Sequence, residues 1–123
     1  MGKAMADGGA SMAGEAAPID HRHLQRYTLG NQALEIEVLH LFADQAPLTL
    51  ADLVGAMSDK AWHMAAHTLK GSARAVGAWA IAQVAEAAER DGLSEPHRSR
   101  NIASLEASIA AARDYIDGLG VPA

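Results

Sequence analysis

Residues 59–77 read DKAWHMAAHTLKGSARAVG, a stretch whose apolar residues recur with helical spacing. On a helix that turns about 100° per residue, its apolar side chains fall within one sector roughly 100° wide. This predicted buried face comprises Trp62, Ala65, Ala66, Leu69, Ala73 and Val76. Ser58 and Asp59 are candidate caps for the start of this helix, and Gly77 follows where helices commonly end. The stretch therefore predicts one amphipathic helix over residues 59–76.

The opposite flank of this helix is polar and should be exposed. It carries Lys60, His63, His67, Lys70, Gly71 and Arg74. A glycine inside a helix costs about 1 kcal/mol relative to alanine, and the chain uses 28 alanines elsewhere. We interpret Gly71 as a gap that admits a partner's backbone, with a close approach of two helices of this chain as the alternative.

The composition favours helices throughout. Only five residues are aromatic, so the core must come from small side chains at close spacing, which suits packed helices better than sheets. Valine, isoleucine and threonine are scattered singly and form no alternating run typical of a strand. We predict an all-α protein.

The chain before residue 59 predicts a tail and two helices. Residues 1–17 show no periodic apolar face and predict a flexible tail. Asp20 is placed to cap a short helix that ends near Gly30, and Asn31 is placed to cap a longer one. Pro47 interrupts that longer pattern, which we interpret as one long helix kinked near Pro47, with two separate helices as the alternative. Its apolar face is predicted to contain Leu34, Val38, Leu41, Phe42, Leu50, Leu53, Val54 and Met57.

Two further helices follow residue 77. One is predicted from about Ala78 to Asp91, and the last begins near Pro96. The last helix has an apolar seam at intervals of three and four, formed by Ile102, Leu105, Ile109, Ala112 and Ile116. Short loops join these helices, so we predict an antiparallel up-and-down four-helix bundle over residues 18–120, with a short N-terminal helix.

Charge and cysteine content exclude several classes of protein. The formal net charge is −5, whereas proteins that bind nucleic acid or anionic membrane usually show a strongly basic balance. The chain has no cysteine, which excludes disulfides and thiolate catalysis. No apolar stretch approaches the roughly 20 residues that cross a bilayer. We expect a cytoplasmic protein that binds neither nucleic acid nor membrane.

The polar flank suits chemistry on an anionic group. A neutral imidazole, with an ordinary pKa of about 6.5, is a good nucleophile. Lys70 lies one turn beyond His67 and can offset negative charge on transferring oxygens. Gly71 keeps the neighbouring surface open. These three residues predict a nucleophilic histidine that works on an anion presented by another macromolecule.

The motif that carries these residues resembles the signature of histidine-phosphotransfer (HPt) domains of phosphorelays. The matching positions are His67, Lys70, Gly71, Ser72 and Gly77, and the similarity extends over residues 18–117. The resemblance implies that His67 takes a phosphoryl group from a receiver-domain aspartyl phosphate and passes it to another receiver aspartate. It implies a phosphocarrier rather than an enzyme, with no cofactor of its own and Mg²⁺ supplied by the receiver. Response-regulator receivers and a hybrid histidine kinase are the implied partners.

A carboxylate is predicted beside the histidine. Because two helices should form an antiparallel hairpin about Gly77, either Glu86 or Glu89 should come near His67. Such a carboxylate would accept a hydrogen bond from Nδ1 and leave Nε2 free to attack. The resemblance to phosphotransfer domains of chemotaxis kinases favours Glu89 over Glu86.

Two other functions compete with this interpretation. A helical module could dock receivers or kinases as an inhibitor without carrying phosphate. His63 and His67 also have the spacing of a metal-binding pair, but Met64 stands where a hydrolase would need a glutamate and no third ligand is obvious. We predict no metal site.

The predicted partner-binding residues are Lys60, His63, Met64, Gly71 and Arg74, and we expect a monomer.

Overall fold

The computed structural model describes residues 17–122, which form five helices and no strand. The helices are α1 (His21–Thr28), α2 (Gln32–Val54), α3 (Asp59–Val76), α4 (Trp79–Asp91) and α5 (His97–Asp117). The all-α prediction is confirmed. The predicted flexible tail lies outside the described residues, except for its last residue, Ala17. No helix within residues 17–122 combines the length and the apolar character that a bilayer crossing requires.

Helices α2 to α5 form a closed four-helix bundle. Each contacts the next in the chain, and α5 also packs against α2. The connections span only residues 55–58, 77–78 and 92–96, so consecutive helices run antiparallel. Helix α1 lies across one side and contacts α2 and α3. The predicted up-and-down architecture is therefore confirmed.

Side chains cap the three helices for which caps are predicted. Asp20 accepts from the backbone N–H of His23 at 3.2 Å, and Asn31 accepts from that of Leu34 at 3.1 Å. Ser58 accepts from the backbone N–H of Ala61 at 3.1 Å. Each such cap typically contributes about 1 kcal/mol. The short polar residues between apolar stretches thus fix where α1, α2 and α3 begin.

Helix α3 buries the face that its sequence predicts. Its buried residues are Trp62, Ala65, Ala66, Leu69, Ala73 and Val76. Trp62 is 1% exposed, and its indole Nε1 donates to the backbone oxygen of Ala88 at 2.7 Å. This bond ties α3 to the C-terminal part of α4 and fixes the two helices that carry the polar flank and its carboxylate.

Helix α2 is one continuous helix through Pro47, so the alternative of two separate helices is wrong. The predicted apolar face is also wrong in part, because Leu41 is 59% exposed and Met57 is 94% exposed. Val54 and Leu34 are exposed as well. The buried residues of α2 are Glu35, Leu39, Phe42, Ala43, Ala46 and Leu53. Ala43 and Ala46 are buried on this face together with larger apolar residues, so the hydrophobicity of single residues does not identify the face.

The turn between α3 and α4 depends on Gly77. This residue has a φ of 76°, in the left-handed region that favours glycine. Its carbonyl oxygen accepts from the backbone N–H of Asp20 at 2.9 Å. A Cβ at this position would lie 2.8 Å from the backbone oxygen of Asp20. The turn therefore has no room for a side chain.

Replacing Gly77 with alanine should lower the free energy of unfolding by about 1–3 kcal/mol, because the variant combines a strained φ with a backbone clash. Urea denaturation followed by circular dichroism measures this change. Gly71→Ala is the matched control, since a Cβ there meets no atom within 4 Å. That control should raise the unfolding free energy by about 0.5–1 kcal/mol. Equal stabilities for the two variants would contradict this account of the turn.

Candidate functional site

The site is built on the outward face of α3, at His67. The side chain of His67 is 67% exposed. Its neighbours Ala66 and Leu69 are buried in the bundle core, so the helix backbone beneath the ring is fixed by packing. The imidazole is therefore a solvent-accessible group on a rigid support.

Glu89 of α4 holds one nitrogen of this ring. His67 Nδ1 lies 3.1 Å from Glu89 Oε2. Because an ionised carboxylate can only accept, Nδ1 carries the proton and donates it to this bond. In the neutral ring Nε2 is then the nitrogen with the free lone pair. Within residues 17–122 no hydrogen bond engages Nε2, which leaves it available to an incoming group.

Lys70 binds the other oxygen of the same carboxylate. Its Nζ donates to Glu89 Oε1, and the lysine side chain is only 15% exposed. The sequence predicts Lys70 on the open flank, and this part of the prediction is wrong. The prediction considered α3 alone, whereas the carboxylate that contacts Lys70 belongs to α4. Lys70 is thus positioned by Glu89 one turn from the histidine.

This contact changes the acidity of Glu89. Hydrogen bonding to the Lys70 ammonium, with a smaller contribution from His67, lowers the pKa of Glu89 below its ordinary 4.5, although partial burial opposes the shift. The carboxylate therefore stays ionised under mildly acidic conditions. Because the folded pKa is the lower one, its stabilising contribution is present above about pH 4.5 and is lost as the pH falls through the folded value.

Lys70→Met should raise the pKa of Glu89 toward or above its ordinary value, because the largest cause of the lowering is removed while burial remains. A pH titration of the Glu89 side-chain carboxyl ¹³C signal by NMR measures the shift. Arg74→Met is the matched control, since Arg74 contacts Glu86 rather than Glu89, at 3.5 Å. Arg74→Met should leave the pKa of Glu89 unchanged. An unchanged Glu89 pKa in Lys70→Met would contradict the assigned cause.

His63 is a third contact of Glu89 that the sequence does not reveal. Its Nε2 lies 3.1 Å from Glu89 Oε2, the same oxygen that His67 engages. The two imidazole rings are nearly parallel, with an interplanar angle of 11° and centroids 6.1 Å apart. The four-residue spacing signals that the rings are neighbours. It does not signal the shared carboxylate, which comes from another helix.

The remaining predicted residues surround this cluster. Lys60, Met64, Gly71 and Arg74 are exposed on α3. Arg74 lies beside Glu86, so of the two predicted glutamates the structure brings Glu89 and not Glu86 to His67. Among residues 17–122, a Cβ on Gly71 would meet no atom of another helix within 4 Å, so a close approach of two of the described helices is not the reason for the glycine.

A known protein family matches the part of the chain that carries this site. Residues 37–115 match the model of the Hpt domain. This match spans more than half of the 123 residues and includes both His67 and Glu89. The chain belongs to the Hpt domain family, and so carries a histidine-containing phosphotransfer module of the kind that acts in phosphorelays with receiver domains. No curated protein and no solved structure matches the chain significantly.

Proposed function

We propose that His67 is the phosphoacceptor of a relay intermediate, which receives its phosphoryl group from the aspartyl phosphate of one receiver domain and passes it to the aspartate of another. The observation that carries this proposal is the exposed ring whose Nδ1 is held by Glu89 at 3.1 Å. This arrangement fixes the tautomer in which Nε2 is the nucleophile.

The transfer step balances without any further reactant. The Nε2 lone pair attacks phosphorus, a nitrogen–phosphorus bond forms, and the bond from phosphorus to the aspartyl oxygen breaks. The electron pair of that bond leaves with the receiver's carboxylate. The ring becomes cationic, and Glu89 stabilises the cation through its bond to the Nδ1 proton. Attack by a second receiver's carboxylate on the phosphohistidine reverses these events.

Lys70 has a supporting role in this proposal. Its ammonium has three N–H donors and one of them is committed to Glu89. A second donor can offset charge on a phosphoryl oxygen one turn away. The protein is then a phosphocarrier rather than an enzyme, has no cofactor of its own, and relies on Mg²⁺ bound in the receiver.

The receiver would dock on the exposed surface around His67. Lys60 and Arg74 provide positive charge for an acidic partner, and Met64, which is 58% exposed, provides an apolar contact. Gly71 leaves open the place where the partner's backbone would approach. We propose a monomer in the cytoplasm, served by response-regulator receivers and a hybrid histidine kinase.

Gly71→Gln should leave the fold intact but weaken receiver docking by about tenfold or more, because the new side chain fills the gap beside the histidine. Glutamine is also a better helix former than glycine, so the unfolding free energy should rise slightly. Titration of a receiver by calorimetry measures docking. Ala110→Gln, which adds the same side chain at an exposed position of α5, is the control. Unchanged docking in Gly71→Gln would remove this explanation of the glycine.

A transfer assay tests the proposed function against its rivals. The protein is incubated with a receiver that carries labelled aspartyl phosphate and Mg²⁺. We expect label to leave the receiver and appear on the protein in an acid-labile, base-stable form, as phosphohistidine does. Stable binding of the receiver without any label would instead support a docking module or inhibitor.

A further inference from the structure

We propose that His63, His67 and Glu89 form a binding site for Zn²⁺. The motif alone offers two histidines one turn apart on α3, and the fold adds the carboxylate of α4. The site is distinct in chemistry from phosphoryl transfer. It uses the same face of the protein but needs no receiver domain.

The three donor atoms are already gathered in one place. Glu89 Oε2 lies 3.1 Å from His67 Nδ1 and 3.1 Å from His63 Nε2. One donor atom from each residue lies within 4.8 Å of the others. Tetrahedral zinc with bonds of about 2.0–2.2 Å needs its ligand atoms roughly 3.3–3.5 Å apart. Both imidazoles are exposed, so we expect small rotations of the rings to bring the ligand atoms to that spacing.

The donor types select zinc over the hard cations. Two imidazole nitrogens and one carboxylate oxygen are ligands that suit Zn²⁺, whereas Mg²⁺ and Ca²⁺ prefer all-oxygen sites. Three protein ligands leave a fourth position for water. Because the side chains of His63 and His67 are 60% and 67% exposed, the ion reaches the site without any opening of the bundle.

Lys70 is the charge that opposes the ion. Its ammonium binds Glu89 Oε1, the oxygen that faces away from the histidines. A dication on Oε2 would then lie close to a positive charge, which weakens its binding. Removing the charge of Lys70 should therefore strengthen the binding of Zn²⁺. Lys70→Met is therefore expected to bind Zn²⁺ several-fold more tightly than the parent protein.

Zinc and phosphate should exclude one another. The ion would bind both His67 Nδ1 and the Glu89 oxygen that otherwise accepts the Nδ1 proton. The ring would then lose the tautomer in which Glu89 holds the proton on Nδ1 and Nε2 has a free lone pair. This consequence, unlike zinc binding itself, rests on the proposed function. Zinc at the site should therefore inhibit phosphoryl uptake.

Calorimetric titration of the protein alone with ZnCl₂, without any polyhistidine tag, tests the site. We expect one Zn²⁺ per chain, with affinity at least about tenfold weaker in His63→Gln and in Glu89→Gln. His97→Gln, which removes an exposed histidine of α5 outside the cluster, should bind like the parent. Titration with MgCl₂ should give no binding heat. Circular dichroism verifies that each variant is folded.

Imidazole ¹⁵N NMR identifies the atoms. Addition of ZnCl₂ should move the signals of His67 Nδ1 and His63 Nε2 and leave those of His97 in place. Undiminished zinc affinity in His63→Gln would overturn the proposal, as would weaker affinity in Lys70→Met than in the parent. Since no receiver is present, failure here leaves the relay function untouched, and failure of the transfer assay leaves zinc binding untouched.

Discussion

His67→Gln is expected to abolish phosphoryl uptake from a phosphorylated receiver while the helical structure remains intact. Glutamine has no nitrogen with a basic lone pair, so no nitrogen–phosphorus bond can form at this position. The loss should exceed about 10³-fold, which is the scale on which removal of a nucleophile acts. Labelled phosphate recovered on the protein after incubation with the receiver measures the effect.

The structure explains why this variant should fold. The side chain of His67 is 67% exposed, and its hydrogen bond within the described residues is the one to Glu89. Exposed positions usually change the unfolding free energy by less than about 0.5 kcal/mol. His97→Gln is the control and should accept label at the parent rate. Equal labelling of His67→Gln and the parent protein would show that the nucleophile is a different residue.

Glu89→Gln is expected to slow phosphoryl uptake by about 10–100-fold, by analogy with the loss when a carboxylate that orients a metal-binding histidine is removed. The amide keeps the shape of the side chain but not its charge, so it stabilises the phosphorylated ring less. It also no longer offsets the Lys70 ammonium. Rapid-quench kinetics with a saturating phosphorylated receiver measure the rate.

A positioning role for Glu89 has a signature that general destabilisation lacks. In the parent protein the ¹⁵N signals of His67 should report a neutral ring protonated at Nδ1. In Glu89→Gln that preference should weaken, because the amide is a poorer acceptor than a carboxylate. Glu86→Gln, at the exposed partner of Arg74, should alter neither the rate nor the ¹⁵N signals. A normal rate in Glu89→Gln would remove Glu89 from the mechanism.

The fold was largely predictable because its determinants are local. The spacing of Trp62 and Leu69 marks the buried face of α3, and the capping residues Asp20, Asn31 and Ser58 mark where helices begin. The buried face of α2 was harder to predict. There Ala43 and Ala46 are buried while Leu41 is exposed, a result of how the neighbouring helices pack and not of hydrophobicity alone.

The site was predictable only in part. The motif places His67 and Lys70 one turn apart, and the hairpin brings a glutamate from α4 within reach. What the sequence does not show is that Glu89 binds Lys70, His63 and His67 together. This shared arrangement depends on the side-chain directions of two packed helices, so the periodicity of either helix alone does not predict it.

In the proposed relay, Nε2 of His67 carries the phosphoryl group. The most direct measurement is NMR of protein with ¹⁵N-labelled histidine, recorded after phosphorylation by a receiver, with the ³¹P coupling assigned to one ring nitrogen. We predict coupling to Nε2 of His67, while Nδ1 keeps its proton and its bond to Glu89. Phosphorus bound to Nδ1 of His67, or to either nitrogen of His63, would contradict the account.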